Sequence, residues 1–79
     1  MLRAGTFLAV GLVMSCLSLR DFWLRYAGMG GSHTPGELHA YLGGQQEWTA
    51  VEHDVAAHAL NEYCAASGLG SPVAYAREL

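Results

Sequence analysis

From Leu19 onward, apolar side chains return with the period of an α-helix. Leu19, Phe22, Trp23 and Tyr26 stand at i, i+3, i+4 and i+7, which is one stripe of a helix. Leu38, Tyr41 and Leu42 repeat that spacing over a shorter stretch. Val51, Val55, Ala59 and Tyr63 carry it over a longer one, with Ala56, Leu60 and Ala66 flanking, and Trp48 is placed to cover the start of that stretch. Asp54, His58, Asn61 and Glu62 fall on the side of the third stretch opposite that stripe. No segment alternates with the period of two that a half-buried strand requires.

Each stretch opens on the same local signal: Ser18-x-x-Asp21, Thr34-x-x-Glu37 and Thr49-x-x-Glu52. In a capping box the hydroxyl accepts a first-turn N–H and the carboxylate reaches back to the N–H of the cap. Pro35 after Thr34 suits the first helical position, where its missing N–H costs nothing. Gly28, Gly43-Gly44 and Gly68 follow the stretches, each placed to take the left-handed conformation that ends a helix. These signals predict an all-α fold. It is a compact three-helix unit over 18–69 with helices near 19–27, 35–42 and 50–67, an apolar N-terminal segment over 1–17, itself helical, and an extended tail over 70–79.

The N-terminal segment is uncharged from Ala4 to Leu19, with Arg3 before it and Arg20 after it. That run is shorter than the ~20 residues that cross a bilayer comfortably. It fits a signal-peptide core, and Ser15-Cys16 loosely resembles a lipoprotein cleavage site. A membrane-associated helix over residues 4–19 is a second reading, and a true start at Met14 a third. Arg20 and Arg25 follow the run, and positive charge stays on the cytoplasmic side. The expected location is therefore the cytoplasm or its membrane face, with export as the alternative.

Length narrows the functional classes. A chain of 79 residues buries a small fraction of its surface and gains from a staple, a metal or a partner. Two cysteines, Cys16 and Cys64, make no disulfide framework. With 52% apolar and 14% charged residues the chain is not composed like a disordered one. It has no Lys, and from Ser18 onward three Arg stand against seven carboxylates, a net −4. The third helix, the one that would enter a DNA groove in a helix-turn-helix, carries Glu52, Asp54 and Glu62 and no basic residue. Nucleic acid is excluded on sign. The Lys-free, Ala- and Arg-rich composition is one associated with bacterial genomes of high GC content.

Candidate chemistry is sparse. Asp54, His58 and Glu62 follow one another at i, i+4 and form one row, the weak candidates for a metal site that His33 or His39 would complete. An ordinary solvated ladder explains the same row. Cys64 has no base at helical spacing, and a nucleophile requires one. Glu52 points toward the apolar side, which its cap position explains. No catalytic residue and no cofactor is expected. The reading is a small non-enzymatic interaction or regulatory module, with a protein partner or a second copy as its ligand. The alternatives are an exported or lipid-anchored protein and a metal-binding one. The residues left over from the three-helix core, Leu24, Leu60, Cys64, Val73 and Tyr75, are the expected partner surface.

Overall fold

A computed structural model describes residues 4–68. Those residues are all-helical, with four helices: α1 (Ala4–Ser15), α2 (Leu19–Gly28), α3 (Pro35–Leu42) and α4 (Ala50–Ala66). The three expected helices stand within a residue of the boundaries that the caps and glycines set. Val73 and Tyr75, named above for a partner surface, lie outside the described residues.

The three caps differ in how they are built. Thr34 closes a full box: its hydroxyl accepts from Glu37 N at 3.2 Å and its own N–H donates to Glu37 Oε1 at 2.8 Å. That hydrogen bond from the Thr34 backbone holds the Glu37 carboxyl below the usual carboxylate range. At α2 and α4 only half of the box forms. Ser18 accepts from Asp21 N and Thr49 from Glu52 N, while the carboxylates turn elsewhere.

Two helix ends are Schellman motifs, the first displaced from where the sequence pattern puts it and the second within the expected Gly43-Gly44 pair. After α2 the left-handed residue is Gly30, at φ 98°, not Gly28, which stays helical. Gly31 N donates to Tyr26 O and Gly30 N to Ala27 O, both at 3.1 Å. After α3 it is Gly44, with Gln45 N on Ala40 O. Gly68 takes the left-handed conformation after α4 as expected.

α1 is packed into the domain. α3 and α4 each pack against both α1 and α2. Leu8 of α1 joins Phe22, Tyr26, Leu38, Tyr41, Leu42, Leu60 and Cys64 in one core, closed by Ala56, Ala57 and Ala59. The inner side of α1 is Gly5, Leu8, Gly11 and Ser15. A Cβ on Gly5 would stand 2.0 Å from the carbonyl oxygen of Tyr41, so the two backbones meet there with no side chain between them. Buried Ser15 ends the helix by donating to Leu12 O at 2.7 Å and accepting from Leu17 N at 3.2 Å. Cys16 follows at φ 58°, and the chain turns through 115° into α2.

This packing corrects the expected face of α4. Its buried side is His53, Ala56, Ala57, Ala59, Leu60, Asn61 and Cys64, while Val51 is exposed. With neighbours on two sides, α4 buries more than one stripe. Two of its buried residues are polar and invisible to a hydrophobic count. Leu60 and Cys64 are accordingly core residues without an open surface, and burial pushes the Cys64 thiol up. Asn61, expected on the solvent side, is buried as well.

Candidate interaction surface

The polar groups of the fold gather around the ends of α2 and α4. The Tyr26 phenol, from the last turns of α2, donates to Glu52 Oε1 in the first turn of α4. Ser32 of the connecting loop adds its Oγ to Glu52 Oε2 at 3.0 Å and its N–H to Oε1 at 3.4 Å. The Tyr26 oxygen also accepts from His33 N at 3.0 Å. Trp23 Nε1 holds the His33 carbonyl at 2.9 Å. The Tyr26 hydrogen bond and the Ser32 donors hold the Glu52 carboxyl below the usual range. Burial, with Glu52 beside it, pushes the Tyr26 phenol up to about 12. A carboxylate with lowered proton affinity is a weaker base, the reverse of what proton abstraction near neutrality favours. These bonds tie a loop to a helix end.

A ring stack adjoins that knot. The Trp48 indole lies parallel to Tyr41 at 4.4 Å between centroids and to His33 at 4.2 Å, with Tyr26 at 5.3 Å. Behind it, Tyr41 Oη and His53 Nδ1 share a buried hydrogen bond of 2.6 Å. Burial pushes the Tyr41 phenol up to about 12. Trp48 thus covers the start of α4, as its position before the cap suggests, and does so by stacking. Among the described residues no buried side-chain nitrogen or oxygen is left without a partner.

In the row Asp54, His58, Glu62, His58 Nε2 pairs with Glu62 Oε2 at 3.2 Å, largely in solvent. His33 is engaged with Trp48 and with Glu37 at 3.5 Å, and His39 is exposed. Among the described residues no group of three His, Cys, Asp or Glu side chains is arranged to hold a metal ion.

Leu24 is the one expected contact residue that the described structure leaves open. It lines a hollow of about 450 Å³ with Leu17, Asp21, Arg25 and Tyr63. The Arg25 guanidinium sits 4.7 Å from the centroid of the Tyr63 ring, a cation–π contact across α2 and α4.

The larger apolar surface is on α1, which the sequence pattern sets apart from the three-helix unit. Phe7, Val10, Val13 and Met14 are 40%, 53%, 77% and 63% exposed. With Thr6 and Ala9, the last three line a shallow apolar hollow of about 290 Å³. At 100° per residue these positions cover an arc of about 120°, opposite Leu8 and Leu12. The signal is present in the chain: small Gly5, Gly11 and Ser15 lie on one side and large Phe7, Val10 and Met14 on the other. A run without a charge, in which both sides are mostly apolar, hides it from a count of charged against apolar positions. Among the described residues no single helix is long and apolar enough to cross a membrane. The α1–α2 pair reaches the required length and apolarity only with its 115° bend.

No protein family matches this chain, and neither curated proteins nor solved structures gave a match.

Proposed function

We propose that this chain is a small non-enzymatic interaction module whose contact surface is the outer face of α1. The exposure of Phe7, Val10, Val13 and Met14 on a helix whose other side is locked into the core carries this reading. Apolar side chains grouped along a helix mark a docking surface more often than they mark solvent-facing structure. The carboxylate, hydroxyl and imidazole groups that could do chemistry are bound to one another around Glu52 and Trp48, which supports a structural use for them. Residence in the cytoplasm or on the inner membrane face belongs to the same reading, since Arg20 and Arg25 follow the apolar run.

The test is a photo-crosslinking amino acid at position 13, with position 21 on α2 as control, in cells that make the protein. Adducts at position 13 and none at position 21 support the reading. No adduct at either position overturns it.

A further inference from the structure

Resting on that reading, we propose that the outer face of α1 docks on an anionic lipid surface, lying along the interface with the arginines beyond its two ends on the headgroups.

The helix is built to lie on a bilayer and not to cross it. Its 12 residues are about 18 Å long, against a hydrocarbon core of about 30 Å. Leu8 and the approach of Gly5 to the Tyr41 carbonyl fix its inner side in the domain. The exposed side chains Phe7, Val10, Val13 and Met14 are left to enter an apolar phase. That face is small beside the standard ~800 Å² that each partner of a protein complex covers with matching shape. A bilayer asks for no matching shape, and its affinity for a helix adds apolar burial to the attraction of basic residues for anionic headgroups.

The distribution of charge says which lipid. Residues 1–31 carry Arg3, Arg20 and Arg25 against Asp21 alone, a net +2. Residues 32–79 carry one Arg, Arg77, against six carboxylates, a net −5. The apolar face therefore belongs to the basic part of the chain. Arg3 stands immediately before α1 in the sequence. The turn after α1 is short, Cys16 to Ser18, so Arg20 follows closely on the end of the helix where Met14 is exposed. Arg20 is itself exposed, and with exposed Leu24 it faces away from Phe22 and Tyr26, the buried side of α2. At a charged surface the groups that count are those within a Debye length, about 8 Å at physiological salt. The sign that matters is that of the arginines flanking the apolar run, and each is worth about 1 kcal/mol beside an anionic leaflet.

The test is co-sedimentation of the full chain with two kinds of vesicle, phosphatidylcholine alone and phosphatidylcholine with an equal amount of phosphatidylglycerol, at low and high salt. Val13→Glu and Arg20→Gln are run beside it. Both positions are exposed, and neither replacement lowers helix propensity appreciably, so the fold is retained; far-UV circular dichroism checks it. The expected result is binding to the anionic vesicles that weakens with salt and is at least about tenfold weaker on phosphatidylcholine alone. Arg20→Gln should weaken it about fivefold. Val13→Glu should weaken it by about tenfold or more, since the new carboxylate meets both hydrocarbon and anionic headgroups.

No binding to either vesicle overturns the proposal, as does equal binding to both. Binding that Val13→Glu or Arg20→Gln leaves unchanged also overturns it. A soluble dimer that Val13→Glu dissolves, without vesicle binding, overturns it and assigns the face to a second copy. Protein adducts at position 13 without vesicle binding overturn the lipid and leave the interaction reading standing; a lipid adduct there supports both. No vesicle binding and no adduct removes both.

Discussion

The Tyr26 phenol and the Glu52 carboxylate meet across 26 residues of chain, and their hydrogen bond joins the end of α2 to the beginning of α4. Each end brings further partners, Ser32 on the carboxylate and the His33 N–H on the phenol. The loop between α2 and α3 is thereby fixed against a helix it does not adjoin in sequence.

Removing the phenol oxygen leaves the His33 N–H without its acceptor and Glu52 without its strongest donor. Tyr26→Phe is expected to lower stability by about 1–3 kcal/mol, measured by urea unfolding at pH 7. The pH dependence has a definite sign. Glu52 has a lowered folded-state pKa, so its contribution is present above the ordinary carboxylate pKa and is lost as pH falls through the folded value. Stability should therefore decline below about pH 4.5, and Glu52→Gln should make that decline shallower while lowering stability at neutral pH. The two tyrosines act at the other limb. Their phenols are raised to about 12, so their contribution is present below the ordinary value near pH 10 and is lost as pH rises toward 12.

Gly5 and Gly28 should respond to alanine in opposite directions. A Cβ on Gly5 runs into the Tyr41 carbonyl, and backbone cannot yield as a side chain can. Gly5→Ala is expected to cost about 1–3 kcal/mol by forcing α1 away from α3. Gly28 is helical with nothing within 4 Å of the built position. Gly28→Ala should raise stability by about 0.4–1 kcal/mol through the entropy of the unfolded chain. Thermal unfolding of the two variants side by side checks both signs.

Leu8 measures how far α1 belongs to the domain. It is fully buried in the core shared with α2, α3 and α4. Leu8→Ala should cost about 2–5 kcal/mol, as a core cavity does. A chain started at Met14 should lose more, because it also uncovers the faces of α3 and α4 that α1 packs against. Denaturant unfolding reads both; unchanged midpoints would show α1 to be dispensable.

Cys16 holds a backbone conformation that suits glycine, at φ 58° in the turn between α1 and α2. Its side chain is exposed and forms no disulfide. Cys16→Gly is expected to raise the unfolding free energy by about 0.5–1 kcal/mol, because the left-handed region costs a side-chain-bearing residue more than glycine loses in entropy. Denaturation under reducing conditions separates this effect from any intermolecular disulfide.

The helices α2, α3 and α4 are legible in the chain because their determinants are local. A hydroxyl and the N–H three residues later, or a proline at the first helical position, act within one turn and need no knowledge of the rest. The full box at Thr34 and Glu37 closes as its sequence dictates, and the further group beside Glu37 is His33, which stands just before the cap and is itself local in sequence. Glu52 carries the same local signal and ends differently. Tyr26 and Ser32 are brought to it by the packing of α2 on α4, and a buried phenol is a stronger claim on a carboxylate than a solvated cap N–H.

Tertiary structure alone decided the rest. A hydrophobic count makes Val51, Val55, Ala59 and Tyr63 the inner face of α4, places Asn61 outside and gives His53 no place in the core. The fold buries His53, because Tyr41 on another helix stands ready to satisfy its ring nitrogen. It buries Leu60 and Cys64, which the count leaves for a partner, because α1 and α2 cover α4 from two directions. It also decides which side of α1 is free: in a run with no charged residue to break the symmetry, the inner side is the one where Gly5 lets the helix approach the Tyr41 carbonyl and Leu8 enters the core.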